Sequence, residues 1–501
     1  MSADEIEFVG HILDNVYGFI YYTEAERKII DTELFKRLQS IKQLSIVNWV
    51  FPGAEHTRYI HSLGVMHIAD RIAIQLKLKP AERKLIRLAG LLHDIGHYPL
   101  SHVSEFPYKK NLVSFPDNSF CRKTNKEIRE RINSLGKSKN SQYMTASEGH
   151  HHEMMGAIII QQNQEIKSII EDECREYPDA PGIIADMITG NVEREGVDSL
   201  WVQILHSELD ADRIDYLMRD AVFSGTSFGT FELDQLISCM EIGEYQGKRI
   251  LCINPKGIAA ADQYLINRFF SYSQVTYNKH ISVTEWMAEQ IVNWMQKNKS
   301  FFPGKDEIEE WVNSCDTSEK YLGFTDNFFW ASLQNIHDNP LREIEPQFIR
   351  HFCRKLLTHS ELEYEPNSEV KILSRDPKEI RKALLTSETK KLLADDKKIA
   401  ILKEQKMSEQ LPEQKFEKLL ADRLQDPKDR LCEEDIPIMW ERRYMECITV
   451  REKHKDGSVN LHLLCEDPRS LMRTLYDMRL VILRVFECDA SEASGASPAK
   501  A

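Results

Sequence analysis

Apolar residues spaced three to four positions apart dominate the first 300 residues. Leu34, Leu38, Ile41 and Leu44 predict a helix from Asp31 to the break at Phe51-Pro52-Gly53. His61–Leu78, with Val65, Ile68, Ile72 and Leu76 on its apolar side, predicts a second helix, ended by Pro80. Ala81–Leu92 predicts a third, leading into His93-Asp94-Ile95-Gly96-His97. Helical runs also cover His152–Gln161, Ile166–Glu176, Pro181–Thr189, Leu200–Arg219 and Ala259–Lys297. Strand-like alternation is confined to the two ends. Tyr17–Tyr22 suggests a short hairpin. Tyr444–Arg451 and Val459–Cys465 flank the turn Lys455-Asp456-Gly457-Ser458, followed by a helix over Pro468–Met478 and a strand over Leu480–Cys488. The pattern predicts a mainly α fold, a helical core with a small α+β C-terminal unit.

At 501 residues the chain is long for one core. The divisions expected are an N-terminal segment over 1–30 and a core over 31–300. Within that core, 107–147 reads as a polar, mobile insertion. A helical extension and charged linker follow over 301–432; the α+β unit occupies 433–488, and a Ser/Ala-rich disordered tail 489–501. The net charge of −14 denies the chain any global attraction to nucleic acid or an anionic membrane. A phosphate ligand must therefore meet a local basic cluster. No apolar stretch is long enough to span a bilayer, and the start MSADEIEF lacks a signal-peptide core. Ten cysteines without a CxxC pair read as reduced thiols in a cytoplasmic protein.

The histidines carry more information: 10 of 17 fall between His56 and His206. His93 and Asp94 are adjacent at a helix end, where the following Gly96 lets both turn toward one ion. Such a pair needs ligands from elsewhere; His61 and Asp212 are candidates. His, His, Asp and Asp make a mixed N/O set suited to Mn, Fe, Zn or Mg, with positions left for water. His102 and Glu105 lie three residues apart, so on a continuing helix the carboxylate can hold the imidazole protonated. Asp212, Tyr216 and Asp220 fall at i, i+4 and i+8 on one helix, with Arg213 at the edge of the same face. Arg58 precedes His61 by three residues.

The runs Ile41–Leu44, Val50–Ala54 and His56–Val65, then Leu92–His102, His152-Glu153, Leu209–Asp220 and Val275–His280, resemble in order the HD-domain deoxynucleoside triphosphate triphosphohydrolases. The resemblance covers roughly residues 10–290 and fades beyond 300. It implies a mostly α HD-domain core and cleavage of a dNTP to deoxynucleoside and triphosphate. It implies metal ligands His61, His93, Asp94 and Asp212. His102 is then the candidate acid for the leaving 5′-oxygen, backed by Glu105, with His97 and His152 as second candidates. Arg58, Arg213, Arg268 and Lys279 become triphosphate candidates, with room for an additional Mg beside the triphosphate. The resemblance also puts Gln43, next to Leu44, and Asp220 at the ribose 3′-hydroxyl, Tyr216 against the 2′ position, and Tyr277 at the sugar or base.

Family members that answer to a guanine nucleotide read it with Asp, Gln and Arg along the first helix. The matching positions here are Asp31, Lys36 and Gln39, so only the Asp is kept. A different nucleotide activator, or none, stays open. The resemblance further implies a homo-oligomer, a dimer or tetramer, and leaves open a part in dNTP depletion against phage. Two alternatives stand beside it: another HD-type nucleotide phosphohydrolase or phosphodiesterase, and a catalytically silent nucleotide sensor.

Overall fold

The computed structural model describes residues 6–109, 120–134, 151–297, 302–313, 319–338, 347–365, 368–395, 397–408, 410, 413–415, 417–418 and 443–488. It opens on an antiparallel hairpin, β1 (Gly10–Asp14) and β2 (Gly18–Tyr22). Asp14 Oδ1 accepts the N–H groups of Val16 at 2.9 Å and Tyr17 at 3.0 Å, and Gly18 supplies a φ of +74°. A capping box between Thr23 and Glu26 starts α1 (Glu24–Asp31).

The helix expected onward from Asp31 is interrupted. Thr32 caps a single turn, α2 (Glu33–Lys36), and Arg37–Ser40 tightens to 3-10 geometry. The physical reason lies outside the segment. Lys42 pairs with Thr57 in an isolated bridge, its N–H bonds Asp326 Oδ2 at 2.9 Å, and the Gln43 N–H bonds His56 O at 3.0 Å. These partners pull 41–45 out of helix and lay Gln43 and Leu44 on an extended segment.

Helices α3 (Arg58–Gln75) and α4 (Pro80–Leu92) lie side by side at the centre of the core. A Cβ on Gly90 would sit 3.1 Å from Met66 Cα, so glycine sets their close approach. They are followed by α5 (His102–Lys109), α6 (Phe120–Ser134), α7 (His151–Gln162), α8 (Gln164–Glu173) and α9 (Ala180–Thr189). The run Leu200–Arg219 proves to be two helices, α10 (Ser199–Leu205) and α11 (Ala211–Ser224), parted where Asp210 caps the second through the Arg213 N–H at 2.7 Å. After α12 (Leu233–Ser238) comes an unexpected hairpin, β3 (Met240–Tyr245) and β4 (Lys248–Ile253). Its Gln246-Gly247 turn has both φ values positive, 51° and 77°, the geometry that matches strand twist. Ala259–Lys297 is likewise divided, into α13 (Ile258–Ser271), a π-turn over Tyr272–Thr276, and α14 (Lys279–Lys297). Then come α15 (Lys305–Asn313), α16 (Glu319–Leu322), α17 (Asp326–Asp338) and α18 (Gln347–Leu357).

The largest departures are in the C-terminal third. Where 370–432 reads as surface helix and linker, the structure has β5 (Val370–Ser374), α19 (Pro377–Leu384), α20 (Ser387–Leu392) and β6 (Lys398–Lys406). The elements of 433–488 are β7 (Thr449–Lys453), β8 (Val459–Leu463), the short α21 (Met472–Leu475) and β9 (Arg479–Glu487). They do not pair among themselves alone. β7 joins β4 in parallel, giving the order β3-β4-β7-β8, while β9 lies between β5 and β6. β9 is apolar along nearly its whole length and buried from Leu480 to Phe486, so it needs a strand on each edge. Part of the insertion is also built in: on α6, the Asn125 amide donates to Lys398 O at 2.8 Å and accepts the Ala400 N–H at 2.9 Å. The rest of 107–147 from 110 to 119 and from 135 on, and the tail 489–501, lie outside the described residues. Among the described residues no helix is long and apolar enough to cross a membrane.

Candidate active site

Four side chains converge between α3, α4 and α11. His93 ends α4 and donates from Nδ1 to Gly90 O at 2.8 Å; His61, fully buried on α3, donates from Nδ1 to Asp215 Oδ2 at 2.7 Å. With both Nδ1 atoms protonated, each neutral ring presents its Nε2 lone pair inward. Those two Nε2 atoms lie 3.2 Å apart. Asp212 Oδ1 stands 3.0 Å from His61 Nε2 and 3.7 Å from His93 Nε2. Asp94 brings one oxygen to 3.7 Å from His61 and the other to 3.5 Å from His93. Two facing lone pairs and two carboxylates repel unless a positive charge sits among them. Burial works against that charge, yet the bonds to Asp212 and Asp215 prevail and raise the His61 imidazole to about 9. Burial likewise opposes ionisation of Asp94, but Arg58 and the neighbouring imidazoles hold it well below the carboxylate range. A divalent cation fits this N/O donor set in place of the proton.

A second histidine cluster adjoins the first. His97 and His152 stack at 4.1 Å, and His102 meets His97 edge-on at 5.0 Å. The buried Glu105 accepts from His102 Nδ1 and His152 Nδ1, each at 3.0 Å, and from the His152 N–H at 3.0 Å. Burial would raise the Glu105 carboxyl, but His152 and His102 hold it far below its ordinary value. Burial would lower His152, but Glu105 prevails and raises it; at His102 desolvation wins over the same carboxylate and lowers it. His97 is of the opposite tautomer: its Nδ1 accepts the Tyr98 N–H at 3.0 Å, so its proton sits on Nε2. That Nε2 is buried without a hydrogen-bond partner among the described residues. His102 is 57% exposed, toward the cleft. Leu100 and Ser101, at φ values of 53° and 54°, make the strained turn that brings it back there.

Both clusters border a cavity of about 480 Å³, the size of a small-molecule site. Of the residues expected, Gln43, Leu44, Arg58, His93, Asp94, His102, His152, Asp212, Arg213 and Tyr216 line it. His61, His97 and Glu105 stand behind that wall. Gln43 Oε1 is buried with no hydrogen-bond partner among the described residues. Arg58 donates to Asp94 Oδ2 at 2.7 Å and to Ser101 Oγ at 3.0 Å. Arg213 pairs with Asp210.

Four expected residues are held elsewhere. Asp220 binds His56 Nε2 at 2.8 Å, Arg268 lies 3.3 Å from Glu208 Oε1, the Tyr277 hydroxyl donates to Glu404 O at 3.2 Å, and Lys279 Nζ sits 5.2 Å above the Tyr364 ring. None is among the residues lining the cavity. In their stead the wall includes Tyr272 from the π-turn, Glu285 and Glu289 from α14, and Lys403 from β6. The Tyr272 hydroxyl lies 3.4 Å from that of Tyr216. No motif marks these residues; the one available signal was the aromatic pair Tyr272 and Tyr277 at the end of a helical run.

An HD-domain family model matches residues 58–217, from Arg58 at the start of α3 into α11. An uncharacterised protein of Methanocaldococcus jannaschii is 28% identical over 369 residues, 74% of this chain and 64% of its own. A Dictyostelium discoideum protein named deoxynucleoside triphosphate triphosphohydrolase SAMHD1 homolog is 31% identical over 61% of this chain and 53% of its own. The human deoxynucleoside triphosphate triphosphohydrolase SAMHD1 is 25% identical over 76% and 59%. The chain thus spans less than two thirds of the length of these relatives. A solved structure of a hypothetical protein from Aquifex aeolicus shares the fold, with a TM-score of 0.61 over 96% of both chains at 24% identity. A Bacteroides thetaiotaomicron phosphohydrolase does so with a TM-score of 0.58 over 95% of this chain and 99% of its own, at 18% identity. The His-Asp pair that closes α4 lies inside the matched segment, so residues 58–217 carry an HD domain.

Proposed function

We propose that the chain is a metal-dependent dNTP triphosphohydrolase, converting dNTP and water to deoxynucleoside and triphosphate. The observation that carries the reading is the pair of inward-facing Nε2 atoms 3.2 Å apart, flanked by Asp94 and Asp212, on the wall of a nucleotide-sized cavity beside a histidine–carboxylate cluster. The named activities of the Dictyostelium and human relatives support the same substrate class. His61, His93, Asp94 and Asp212 would hold a divalent cation, which supplies a Lewis acid and an acidified water.

The chain's own residues account for the rest. The water oxygen joins the α-phosphorus, the bond to the 5′-oxygen breaks, and that oxygen needs a proton. His102 faces the cleft and shares Glu105 with His152, so it is placed to deliver one. A triphosphate beside it favours the imidazolium, offsetting the desolvation that lowers it. Arg213 at the cleft wall meets phosphate oxygens. Arg58, tied to Asp94, orients that ligand as well as adding positive charge. Gln43 Oε1 offers an unused acceptor to a sugar hydroxyl, and the Tyr216 ring closes on the 2′ side.

An additional Mg with the triphosphate, a nucleotide activator, a homo-oligomer, a cytoplasmic site of action and a part in dNTP depletion against phage belong to this reading through the resemblance alone. Product analysis with one dNTP and Mn²⁺ tests the core of it. Triphosphate supports it; pyrophosphate or orthophosphate points to another HD phosphohydrolase, and no product to a silent sensor. Rates for each dNTP and NTP, alone and in pairs, with mass by light scattering, test the substrate choice, activator and oligomer.

A further inference from the structure

We infer that Asp14, in the turn of the N-terminal hairpin, is a positioning residue of the metal cluster, acting through a buried chain from Asp14 to Arg219, Asp215 and His61. The inference rests on the reading that the cluster holds a divalent cation. Asp14 Oδ2 accepts from Arg219 Nη1 at 2.7 Å across 205 residues of sequence. Arg219 grips Asp215 in a fork, Nε to Oδ2 at 2.9 Å and Nη2 to Oδ1 at 3.0 Å. Asp215 Oδ2 in turn accepts the His61 Nδ1–H at 2.7 Å. The side chains of Arg219 and Asp215 are fully buried and that of Asp14 is 6% exposed, so water competes with none of these bonds.

The charges explain why Asp14 matters to a ligand so far away. Two carboxylates flank one guanidinium, leaving a net negative charge behind the His61 Nδ1–H. That charge makes Nε2 a stronger donor to a cation and fixes the ring's orientation. Without Asp14, Arg219 keeps its full charge for Asp215 alone and draws that carboxylate from His61. Space is as tightly set as charge. A Cβ on Gly64 of α3 would lie 1.9 Å from Asp215 Oδ1 and 2.3 Å from Arg219 Nη2, so only glycine there lets the pair lie against the helix that carries His61. The Tyr17 ring, 5.7 Å from the guanidinium, closes the hairpin side.

Asp14→Asn isolates the link. Its Oδ1 still accepts the Val16 and Tyr17 N–H groups, so the turn survives, while Nδ2 opposes Arg219 Nη1, donor against donor. Mn²⁺ affinity is read by competition with a chelator, without substrate. The expected result is a 10- to 100-fold weaker Kd in Asp14→Asn, the usual worth of a ligand's outer hydrogen-bond partner. Leu13→Ala, which changes an exposed hairpin residue off the chain, should keep the parent's Kd. Gly64→Ala presses the same pair from the opposite side with a good helix former, and should match Asp14→Asn. Folded variants binding Mn²⁺ within twofold of the parent overturn the inference, as does an equal loss in Leu13→Ala. A parent that takes up no Mn²⁺ overturns the metal reading itself.

Discussion

The two histidine clusters use the same residue types a few ångströms apart and present different chemistry. In the first, Asp215 and Gly90 O hold the Nδ1 protons, and the Nε2 lone pairs of His61 and His93 converge. In the second, the Tyr98 N–H occupies His97 Nδ1 and forces a proton onto its inward Nε2, while Glu105 accepts the Nδ1 protons of both His102 and His152. The first cluster points two Nε2 lone pairs at one spot; the second turns the His97 Nε2 proton inward and ties its other two rings to one carboxylate. Each has three ligand atoms within 4.8 Å of one another, so closeness alone would nominate both for a metal. The partner on each ring's other nitrogen decides, and in four of the five cases that partner is backbone or a residue distant in sequence.

The largest effect separates them directly. Asp94→Asn and His93→Ala should lose bound metal and all measurable hydrolysis while the chain stays folded, because each removes a ligand from the lone-pair cluster. His97→Ala should keep its metal. Elemental analysis of the three purified variants is the measurement; full metal in Asp94→Asn and His93→Ala would end the assignment. Next, His102→Ala should keep its metal and lower turnover by roughly two to four orders of magnitude, the worth of a positioned acid. Metal loss in that variant would move His102 into the coordination set.

How much of this could be read from the chain follows from how local each cause is. The helices around His93-Asp94, and the pairing of His102 with Glu105, depend on spacing within one element, and spacing is visible. The tautomer of His97 depends on one backbone N–H, which no spacing reveals. Asp220 shares a helical face with Asp212, yet His56, from the loop before α3, holds it at 2.8 Å. Arg268 was lost to Glu208 for the same reason, since Glu208 is fixed by Ser408 at 2.7 Å and Gln410 at 2.7 Å, from a stretch that reads as charged linker. Lys403 reaches the cleft on β6 because β9 needs an edge partner. Charged flanks hid the apolar middle of β6, and with it one wall of the site.

A smaller effect tests the wall nearer the sugar. Tyr216 and Tyr272 touch at their hydroxyls within the cleft. If the Tyr216 ring closes on the 2′ position, Tyr216→Ala should narrow the preference for dATP over ATP by about tenfold, since a cavity replaces a steric wall. The ratio of kcat/KM for the two nucleotides checks it. An unchanged ratio would assign the choice of sugar to another contact.

The smallest effect contrasts a carboxyl behind the cleft wall with one on it. Glu105 has two imidazole partners and is held ionised; Glu285, on the α14 wall, has no hydrogen bond or ion pair among the described residues, and burial raises it to about 7 despite Lys403 nearby. Its ordinary value is 4.5. Between those two pH values the unfolded chain gives up a proton that the folded chain keeps, so stability falls as pH rises from about 4.5 to 7 and the loss persists above. Glu285→Gln carries no such proton. It should be more stable than the parent at pH 8 by about 1 kcal/mol, after allowing for screening by water in the cavity, and indistinguishable from it at pH 4.5. Thermal unfolding of both chains at the two pH values measures the difference. The same offset at both would mean that Lys403 already neutralises Glu285, and that the far wall resembles the Glu105 cluster after all.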